Sequence, residues 1–361
     1  MNQKLKIAVI GLKGLPAFGG AAVVGESIIN ELKNQYDFTV LSISSHTNEK
    51  SGYRNNYFQK VFKKIPFGKI NILYYYIRSA IYVLFKRFDL IHLHHRDAAF
   101  ILPILRLKYN VILTTHGMVL TEKWKKYEIL FSIQDKIFLN LANLITTVSQ
   151  KDLKIIYSLL PNYNKIIQIP NGVTLNNINF EQADRITFAS GRIIPDKGCH
   201  LFLEALQGIN YNSEILIVGD YNQMSHYQKI LIDLSAHLPN LHFTGLIKEK
   251  DKLFEIIGSS RIFVYPSLIE SMSMVMLEVA SLKVPMICSR IQENLDVFSE
   301  EEVLYFEPNN ISDLREKIQW AIQNPDEMNT YANAAYSKVM DNYQWSNIAP
   351  LYANVYQSLI K

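Results

Sequence analysis

Short apolar runs rich in Ile and Val recur along the chain, each followed by a loop and a stretch with helical periodicity. This alternation is typical of a parallel β-sheet with crossover helices. The runs are continuously apolar, which predicts strands buried on both faces. The runs of the first half are 6–10, 38–43, 90–94, 111–115, 144–148 and 166–169. Those of the second half are 186–189, 214–218, 241–243, 262–265, 286–289 and 303–306. The pattern predicts an α/β protein with two doubly wound sheets.

The chain has 361 residues, which suits two domains of about 150 to 200 residues each. The polar run LNNINFEQADR, 175–185, separates the two sets of strands. We therefore predict a first Rossmann-like domain at 1–179 that binds the acceptor, and a second at 180–340 that binds the donor. A helix at 341–361 is expected to pack back onto the first domain. Two such domains predict a cleft for ligands.

Three features predict a cytoplasmic protein. Cys199 and Cys288 are isolated in apolar contexts, so neither a disulfide framework nor a CxxC metal site is expected. The strand pattern LKIAVIG begins within the first ten residues and leaves no room for a secretory leader. The most membrane-like stretch, 70–85, is interrupted by Asn71, Arg78 and Ser79 and is shorter than the roughly 20 residues that span a bilayer.

The segment Lys50 to Phe88 contains nine Lys or Arg residues and no Asp or Glu, although the whole chain has a net charge of only +4. Aromatic residues are interleaved with these bases. One interpretation is a solvated helix face over an aromatic core. The other is peripheral contact with anionic lipid on the inner face of the cell membrane, with Tyr and Phe at the interface. No motif indicates a nucleic-acid partner.

The loop after the first strand contains Gly19 and Gly20, just before a helix predicted from about Ala21 to Leu32. Paired glycines allow a ligand to approach the backbone closely. The spacing is not GxGxxG, and the second strand ends in SISSH without an acidic residue, which disfavours NAD or FAD. An ordinary turn is the alternative interpretation.

The second half opens with ITFASGRIIPDKGCHLFLEAL, which predicts a strand, a loop and a helix from near Gly198. Arg192 and Lys197 lie on that loop, beside the helix N-terminus. Two cations and free backbone N–H groups are suited to a diphosphate. The alternative is a pair of surface cations without a role.

Two carboxylates follow the strand at 262–265. Glu270 lies in the loop, and Glu278 lies eight residues later, in a helix predicted to begin near Met272. Eight residues of helix correspond to roughly 12 Å, about the distance from the sugar to the ribose of a sugar nucleotide. One carboxylate could therefore accept hydroxyl protons from each ring. Alone, either residue is better explained as a surface charge.

Histidines cluster at two strand ends of the first half. His116 ends the strand VILTTHG and is predicted to face the cleft, although a lone His is more often structural. In LIHLHHRD, His92 and His94 share one strand face, a spacing that allows a metal. A metal site is disfavoured, because only Asp97 accompanies them at useful spacing. The other interpretation is that His94, His95 and Arg96 line the cleft or contact an acceptor.

Taken together, these residues resemble glycosyltransferase family 4, whose members are retaining enzymes with the GT-B fold, over nearly the whole chain. The motifs in order are Gly19-Gly20, THG at 115–117, TTVS at 146–149, PNGV at 170–173, GRIIPDKG at 191–198 and E-x7-E from Glu270 to Glu278. The start, GLKGLPAFGG, resembles a subgroup active in bacterial polysaccharide assembly.

The resemblance implies that a nucleotide-diphosphate sugar is bound without a metal or another cofactor. It places Arg192 and Lys197 on the diphosphate, Glu278 on the ribose and Glu270 on the transferred sugar. It further implies that Gly19 and Gly20 approach the phosphates, that His116 contacts the sugar, and that Ser273 and Met274 line the donor site. The chain has Ser271, Met272 and Ser273 where the family usually has G-F-G, which leaves the donor sugar open.

The function expected from the resemblance is retaining transfer of the sugar to a hydroxyl of a lipid-linked saccharide or another cell-surface glycan precursor. Two alternatives stay open. A nucleotide-sugar epimerase with the same fold would convert the donor without an acceptor. A non-catalytic scaffold would bind a membrane or a partner through the segment Lys50 to Phe88.

Overall fold

The computed structural model describes residues 4–17, 19–54, 56–66, 68, 70–119, 128–175 and 180–360. The chain forms two compact units. Unit 1 contains residues 1–172 and 345–361, and unit 2 contains residues 173–344. The predicted boundary, Asn179, lies outside the described residues. Val173 and Gln344 form a parallel bridge, and Val173 N donates to Tyr343 O at 2.7 Å. This pairing holds both ends of unit 2 together and explains why the divisions fall at 172/173 and 344/345.

Unit 1 contains an eight-stranded sheet in the order β3-β4-β2-β1-β5-β6-β7-β8. The strands are β1 (Leu5–Lys13), β2 (Tyr36–Ile43), β3 (Gly52–Tyr53), β4 (Tyr57–Phe62), β5 (Leu90–His94), β6 (Val111–Thr115), β7 (Leu144–Thr147) and β8 (Ile166–Gln168). All pairs are parallel except β3 with β4. The β3–β4 hairpin was not predicted, because β4 carries Gln59 and Lys60 and is only partly buried, and so lacks a continuous apolar run.

Helices cover both faces of this sheet. They are α1 (Gly20–Leu32), α2 (Ile70–Leu84), α3 (Leu102–Leu105), α4 (Glu128–Phe138), α5 (Gln150–Leu159) and α13 (Trp345–Leu359), the last helix of the chain. A 3₁₀ turn, Arg96–Ile101, precedes α3. The helix α13 packs on α1 within unit 1, and Gly172 lies against the Trp345 ring, where a Cβ would be 2.8 Å from the indole. The predicted start at 341 falls in the preceding helix, which ends at Asn342.

Unit 2 contains a six-stranded, fully parallel sheet in the order β11-β10-β9-β12-β13-β14. The strands are β9 (Ala183–Arg192), β10 (Glu214–Asp220), β11 (Leu241–Gly245), β12 (Ser260–Tyr265), β13 (Met286–Ser289) and β14 (Leu304–Phe306). The helices are α6 (Cys199–Leu206), α7 (Ser225–Ser235), α8 (Lys250–Gly258), α9 (Met274–Ser281), α10 (Gln292–Leu295), α11 (Ile311–Gln323) and α12 (Pro325–Asn342).

Each sheet has a point where the winding of the chain reverses. In unit 2 the order of strands along the chain is 3-2-1-4-5-6, so the reversal lies between β9 and β12. In unit 1 it lies between β1 and β5. Ligands of doubly wound sheets bind beyond the carboxyl ends of the strands at such points. Both units are therefore of the predicted Rossmann-like type, and the loops after these four strands are where a site is expected.

Two further expectations concern the described chain as a whole. No helix within the described ranges is both long and apolar enough to cross a bilayer. Cys199 and Cys288 are both buried free thiols.

Candidate active site

The loops after β9 and β12 in unit 2 are in direct contact. The chain turns after Arg192 through the 3₁₀ turn Pro195–Lys197 and enters α6 by way of Gly198. Gly198 has a positive φ of 68°, and a Cβ there would lie 2.0 Å from the carbonyl oxygen of Pro266. Leu268 N also donates to Asp196 O at 2.8 Å. Glycine at position 198 thus lets the two loops meet, which brings the predicted cations and Glu270 into one region.

Glu270 is the centre of a hydrogen-bond cluster. Its Oε1 accepts from Lys197 Nζ at 2.5 Å and from Ser267 Oγ at 2.6 Å. The hydroxyl of Tyr265 donates to the same oxygen. Within the described chain no partner is recorded for Oε2, and the side chain is 10% exposed. The carboxylate is therefore held by three donors through one oxygen, which leaves the other available to a ligand hydroxyl.

Lys197 and Arg192 differ from the predicted pair of free cations. Lys197 is ion-paired with Glu270, and its side chain is 22% exposed. Arg192, the last residue of β9, is exposed; its carbonyl accepts from Ser190 Oγ at 3.1 Å, and no hydrogen bond or ion pair of its guanidinium to a described residue is recorded. The sequence predicted two like cations beside one helix end. The structure provides one free guanidinium and one ammonium that Glu270 already balances.

The helix α9 starts later than predicted. Ser273 is its N-cap and accepts from Met276 N at 3.3 Å, while its own hydroxyl donates to Tyr265 OH at 2.8 Å. The helix begins at Met274 rather than near Met272, so the four steps from Met274 to Glu278 cover only about 6 Å. Helical rise therefore covers only part of the separation of Glu270 and Glu278, because Glu270 lies in the loop before the cap.

Glu278 is a partly exposed residue on α9. Loss of solvation raises the pKa of its carboxyl to about 7, while nearby Lys250 opposes that rise. For the parts of the chain with described coordinates, no hydrogen bond to this carboxyl is recorded. Met274, in the first turn of the same helix, is also partly exposed. A desolvated carboxyl without a partner favours binding to a neutral hydrogen-bond donor such as a hydroxyl.

The glycines after β1 in unit 1 serve different purposes. Gly19 caps α1 with a φ of 119°, a conformation that other residues rarely adopt, and its carbonyl accepts from Ala22 N and Val23 N. Gly20 is the first, exposed residue of α1. Gly11, at φ 113°, lets β1 approach β5, since a Cβ there would lie 2.2 Å from His94 O. The loop and the helix start were as predicted, and Gly11 was missed because β1 continues to Lys13, beyond the apolar run 6–10.

Three histidines meet at the ends of β5 and β6. His94 Nδ1 and His116 Nε2 are 2.9 Å apart, and the two ring planes are within 8° of parallel. The His95 ring lies 5.1 Å from that of His116. His95 has a φ of 74°, which is unusual for a residue with a side chain and is concentrated at functional sites in proteins. His116 is thus fixed by a second histidine rather than being isolated.

These histidines are neutral at physiological pH. Burial lowers the pKa of His95 to about 3, and Lys13 contributes to the shift. Burial also holds the pKa values of His94 and His116 well below 6.5, with neighbouring histidines adding to it. His116 can therefore donate or accept a hydrogen bond, but it does not present a positive charge to a ligand.

His92 belongs to the core. Its Nδ1 lies 2.8 Å from Tyr356 OH and its Nε2 lies 2.7 Å from Thr114 Oγ1, so both ring nitrogens have partners. Burial lowers its pKa to about 3. Within the described residues, no three His, Cys, Asp or Glu side chains are arranged to hold a metal ion.

Arg96, which the sequence suggested as a residue that lines the cleft or contacts an acceptor, has its recorded contacts within unit 1. Its guanidinium forms an ion pair with Asp135 of α4 and donates to Met118 O, and it lies over the Phe131 ring at 5.4 Å. Arg96 is 12% exposed and Asp135 is 1% exposed. Burial raises the pKa of Asp135 to about 6 although Arg96 lowers it. The pair joins the turn after β5 to α4, and because its partners are 39 positions apart no sequence pattern indicated it.

Tyr265 and Ser267 are site residues that the sequence analysis did not identify. Both donate to Glu270, and Ser289 donates in turn to the Ser267 carbonyl. Their positions in YPS, directly after the β12 run, were a usable signal, because polar residues at a strand's carboxyl end face the ligand side. By contrast, a groove of about 400 Å³ in unit 2 is lined by Ala183, Ser260 and Arg261, near the amino ends of β9 and β12 and away from these residues.

Two family models match the chain. The model described as Glycosyltransferase Family 4 matches residues 18–177, and that described as Glycosyl transferases group 1 matches residues 174–338. An uncharacterised glycosyltransferase of Methanocaldococcus jannaschii is 25% identical over 95% of this chain and 96% of its own length. A capsular polysaccharide biosynthesis glycosyltransferase of Staphylococcus aureus is 25% identical over 67% of this chain and 69% of its own.

The fold has a solved counterpart in HepE of Anabaena, crystallised with UDP and glucose. Its TM-score is 0.79 at 16% identity, with 98% of this chain and 100% of that chain covered. This likeness shows two Rossmann-like domains of the GT-B type. The two consecutive family matches, which together span residues 18–338, show that the chain belongs to the family 4 glycosyltransferases.

Proposed function

We propose that this glycosyltransferase moves a sugar from a nucleotide-diphosphate donor to an acceptor hydroxyl with retention of anomeric configuration and without a metal. The observation that carries the proposal is the ion pair of Lys197 with Glu270 at the switch point of unit 2, with Arg192 at the end of the strand that leads into the Lys197 loop. Arg192 and Lys197 supply charge for a diphosphate. The free oxygen of Glu270 supplies an acceptor for the hydroxyls of the sugar.

In the proposed reaction, the bond between the anomeric carbon and the diphosphate breaks first, through a transition state that resembles an ion pair. The acceptor oxygen then bonds to that carbon on the face just vacated, and its proton passes to the departing diphosphate. Negative charge develops on the diphosphate, so fixed cations nearby lower the barrier. Arg192 contributes most of this charge stabilisation, because Glu270 balances the charge of Lys197 before the donor binds.

The remaining assignments follow the shape of a sugar nucleotide. Glu278, with its pKa near 7, is assigned to the ribose hydroxyls. Ser273 and Met274, at the start of α9, are placed along the donor, and Gly19 and Gly20 are assigned to the phosphates. His116 is proposed to contact the sugar as a neutral imidazole oriented by His94.

The proposed acceptor is a lipid-linked saccharide or another precursor of a cell-surface glycan, used in the cytoplasm at the inner face of the cell membrane. The capsular polysaccharide relative supports this class of acceptor. UDP in the HepE crystal supports a nucleotide-diphosphate donor. The basic segment Lys50 to Phe88 supports contact with anionic lipid.

The proposal is tested by incubating the protein with a panel of nucleotide sugars, with and without lipid extracted from a polysaccharide-producing bacterium. We expect release of the nucleoside diphosphate that depends on the extract, with the anomeric configuration of the new linkage read by NMR. Conversion of a donor in the absence of any acceptor would instead identify an epimerase. An inverted linkage would refute the retaining mechanism.

A further inference from the structure

The outward face of α2 is apolar along its whole length. Its exposed positions repeat at intervals of three or four residues, and the series ends at Phe85, which is 83% exposed. These residues are Ile70, Leu73, Ile77, Ile81 and Phe85. The opposite face is also apolar, because Tyr75 and Tyr76 are buried in the core of unit 1. Tyr75 and Tyr76 therefore lie inside, and apart from Phe85 the exposed side chains of this series are aliphatic.

The helix α4 has a similar outward face. Ile129, Leu130, Ile133 and Ile137 are exposed, the first of them by 78%. The buried residue of this helix is Asp135, which is ion-paired with Arg96. The helix therefore docks through a charged side chain while four aliphatic side chains face solvent, the reverse of an ordinary surface helix.

Both faces belong to one helical layer. The helices α2 and α4 each pack on the 3₁₀ turn Arg96–Ile101, and residues of α2, this turn and α3 share one hydrophobic core. Leu107, directly after α3, is 79% exposed. More than half of the exposed large apolar side chains of the described chain lie in this layer, which we call the α2–α4 face. Such a concentration marks an interaction surface.

The α2–α4 face is also basic. Exposed cations on α2 to α5, and in the turns that follow α2 and α3, are Arg78, Lys86, Arg87, Arg106, Lys108, Lys136 and Lys154. The exposed acids on the described parts of these elements and turns are Glu128 and Asp89, and Asp89 accepts from Lys6 N at 2.7 Å; Asp135 and Asp152 are buried. Aliphatic stripes flanked by Lys and Arg are complementary to an anionic lipid bilayer.

We propose that the α2–α4 face inserts into the surface of an anionic bilayer, with the aliphatic side chains of α2 and α4 in the acyl region and the flanking bases among the headgroups. This inference rests on the proposed function, in which the acceptor is used at the inner face of the cell membrane. It identifies the residues that anchor the protein to that membrane. Because Asp135 ties α4 to Arg96, the residue after His95, this anchor is coupled to the turn that carries the histidine cluster.

A second copy of this chain is a less suitable occupant. A symmetric dimer sets the same surface against itself, so the bases listed above would face one another. Protein interfaces are also enriched in exposed Tyr, Trp and Arg rather than in Ile and Leu alone. The bilayer satisfies both the charge and the aliphatic character of this face.

The test is flotation of the full chain with vesicles of phosphatidylglycerol and phosphatidylcholine in equal parts. Ile77→Ser with Ile81→Ser, and separately Ile133→Ser with Ile137→Ser, should each lower the partition coefficient about tenfold, and the four together about a hundredfold. These four side chains are exposed, so the substitutions are expected to leave the fold unchanged. The matched control is Ile230→Ser with Ile232→Ser on α7, whose side chains are equally exposed in unit 2, and it should bind as the wild type does.

A second measurement reports depth. The tryptophan fluorescence added by Leu130→Trp should be quenched by brominated acyl chains, whereas the fluorescence added by Ile232→Trp should not. Unchanged flotation of the fourfold variant would overturn the inference, as would a wild-type dimer that these substitutions dissociate while vesicle binding persists. Binding of nucleotide sugars in solution is measured separately. Failure of membrane binding therefore leaves the proposed sugar transfer intact, and failure of nucleotide-sugar binding leaves the membrane anchor intact.

Discussion

The environment of Glu270 sets what substitutions at the donor site should do. Lys197→Ala removes the cation that balances this carboxylate, and Arg192→Ala removes an exposed guanidinium without a recorded partner in the described chain. We expect each change to lower turnover roughly a hundredfold or more, because loss of one fixed donor to developing negative charge costs about 3 to 4 kcal/mol of barrier. Steady-state kinetics with saturating donor and acceptor measure the effect.

The matched control is Lys229→Ala, which removes an exposed cation on α7 of the same unit. It should change turnover less than twofold, while circular dichroism shows all the variants folded. Near-normal turnover in a folded Arg192→Ala, Lys197→Ala double variant would end the assignment of these residues to the diphosphate.

The buried histidines of unit 1 predict acid sensitivity. The pKa values of His92 and His95 are about 3 in the folded protein against 6.5 ordinarily, so the unfolded state binds more protons between these limits. The contribution of these neutral histidines to the free energy of unfolding should therefore be fully present above pH 6.5. It should decrease as the pH falls towards 3, by up to about 1.4 kcal/mol per pH unit for each histidine.

Urea unfolding followed by Trp345 fluorescence, in a Trp124→Phe, Trp320→Phe background, measures this dependence for unit 1. His94→Gln with His116→Gln should reduce the slope between pH 4 and 6, because two of the titrating groups are gone. His237→Gln, at an exposed position of unit 2, should leave it unchanged. A free energy of unfolding that stays constant from pH 7 to pH 5 would contradict the burial of these rings as neutral groups.

At single positions, the sequence predicts which side chains stand at strand ends but not which of them pair. Arg192, Lys197 and Glu270 were predicted because each lies between an apolar run and the helix that follows it. Their arrangement was not, since the pair between Lys197 and Glu270 joins residues 73 positions apart. The same limit applies to Arg96, because no sequence motif links it to its partner Asp135 on α4.

At the level of secondary structure, the approach of the two donor-site loops depends on Gly198. Gly198→Ala would force an alanine into φ 68° and set its Cβ 2.0 Å from Pro266 O. We expect a loss of about 2 to 4 kcal/mol in the free energy of unfolding, from left-handed backbone strain and the displacement of the β12 loop. Donor affinity should fall with it, because Glu270 lies in that loop.

Gly191 provides the control for this change, because it lies near the end of β9, just before the same connection, and a Cβ there meets nothing within 4 Å. Gly191→Ala should alter stability by less than about 0.5 kcal/mol. Chemical denaturation of both variants makes the comparison. Equal stability of the two would show that the loops do not need their close approach.

The lysines on and after β4 predict an electrostatic contribution to membrane binding. Charge reversal of Lys60, Lys63 and Lys64 places acids on β4 and on the residues that follow it. Each base near an anionic surface contributes about 1 kcal/mol, so flotation with phosphatidylglycerol vesicles should fall at least a hundredfold and should lose most of its salt dependence. Unchanged vesicle binding would count against this segment as an electrostatic contact.

Elements were predictable where their hydrophobicity is continuous. The apolar runs correspond to strands in both sheets, since strands covered on both faces need uninterrupted apolar sequence. The edge hairpin at 52–62 was missed, because an edge strand is partly solvated and β4 mixes Lys and Gln with aromatic residues. The start of α9 was two residues off, because the N-cap role of Ser273 depends on its own bonds rather than on periodicity.

For the whole molecule, two sheets with the same winding and the ordered series of motifs identify the family, while the choice of substrates depends on side chains that few patterns constrain. Ser271, Met272 and Ser273 differ from the family's usual residues beside Glu270, so the transferred sugar cannot be inferred from the family. Loops on one fold accept many ligands. Donor identity is therefore a question for binding experiments on the full chain.

The last prediction is that a matching nucleotide-diphosphate sugar stabilises the protein. A ligand that binds only the folded state at about 100 times its dissociation constant raises the free energy of unfolding by about 2.7 kcal/mol. We expect this gain in the transition of unit 2, followed by Trp320 in a Trp124→Phe, Trp345→Phe background, and its loss in the Arg192→Ala, Lys197→Ala double variant. A thermal-shift screen across donors that differ in base and sugar measures it. If no nucleotide sugar gives saturable stabilisation, unit 2 does not bind a donor, and the chain acts as a scaffold rather than as a transferase.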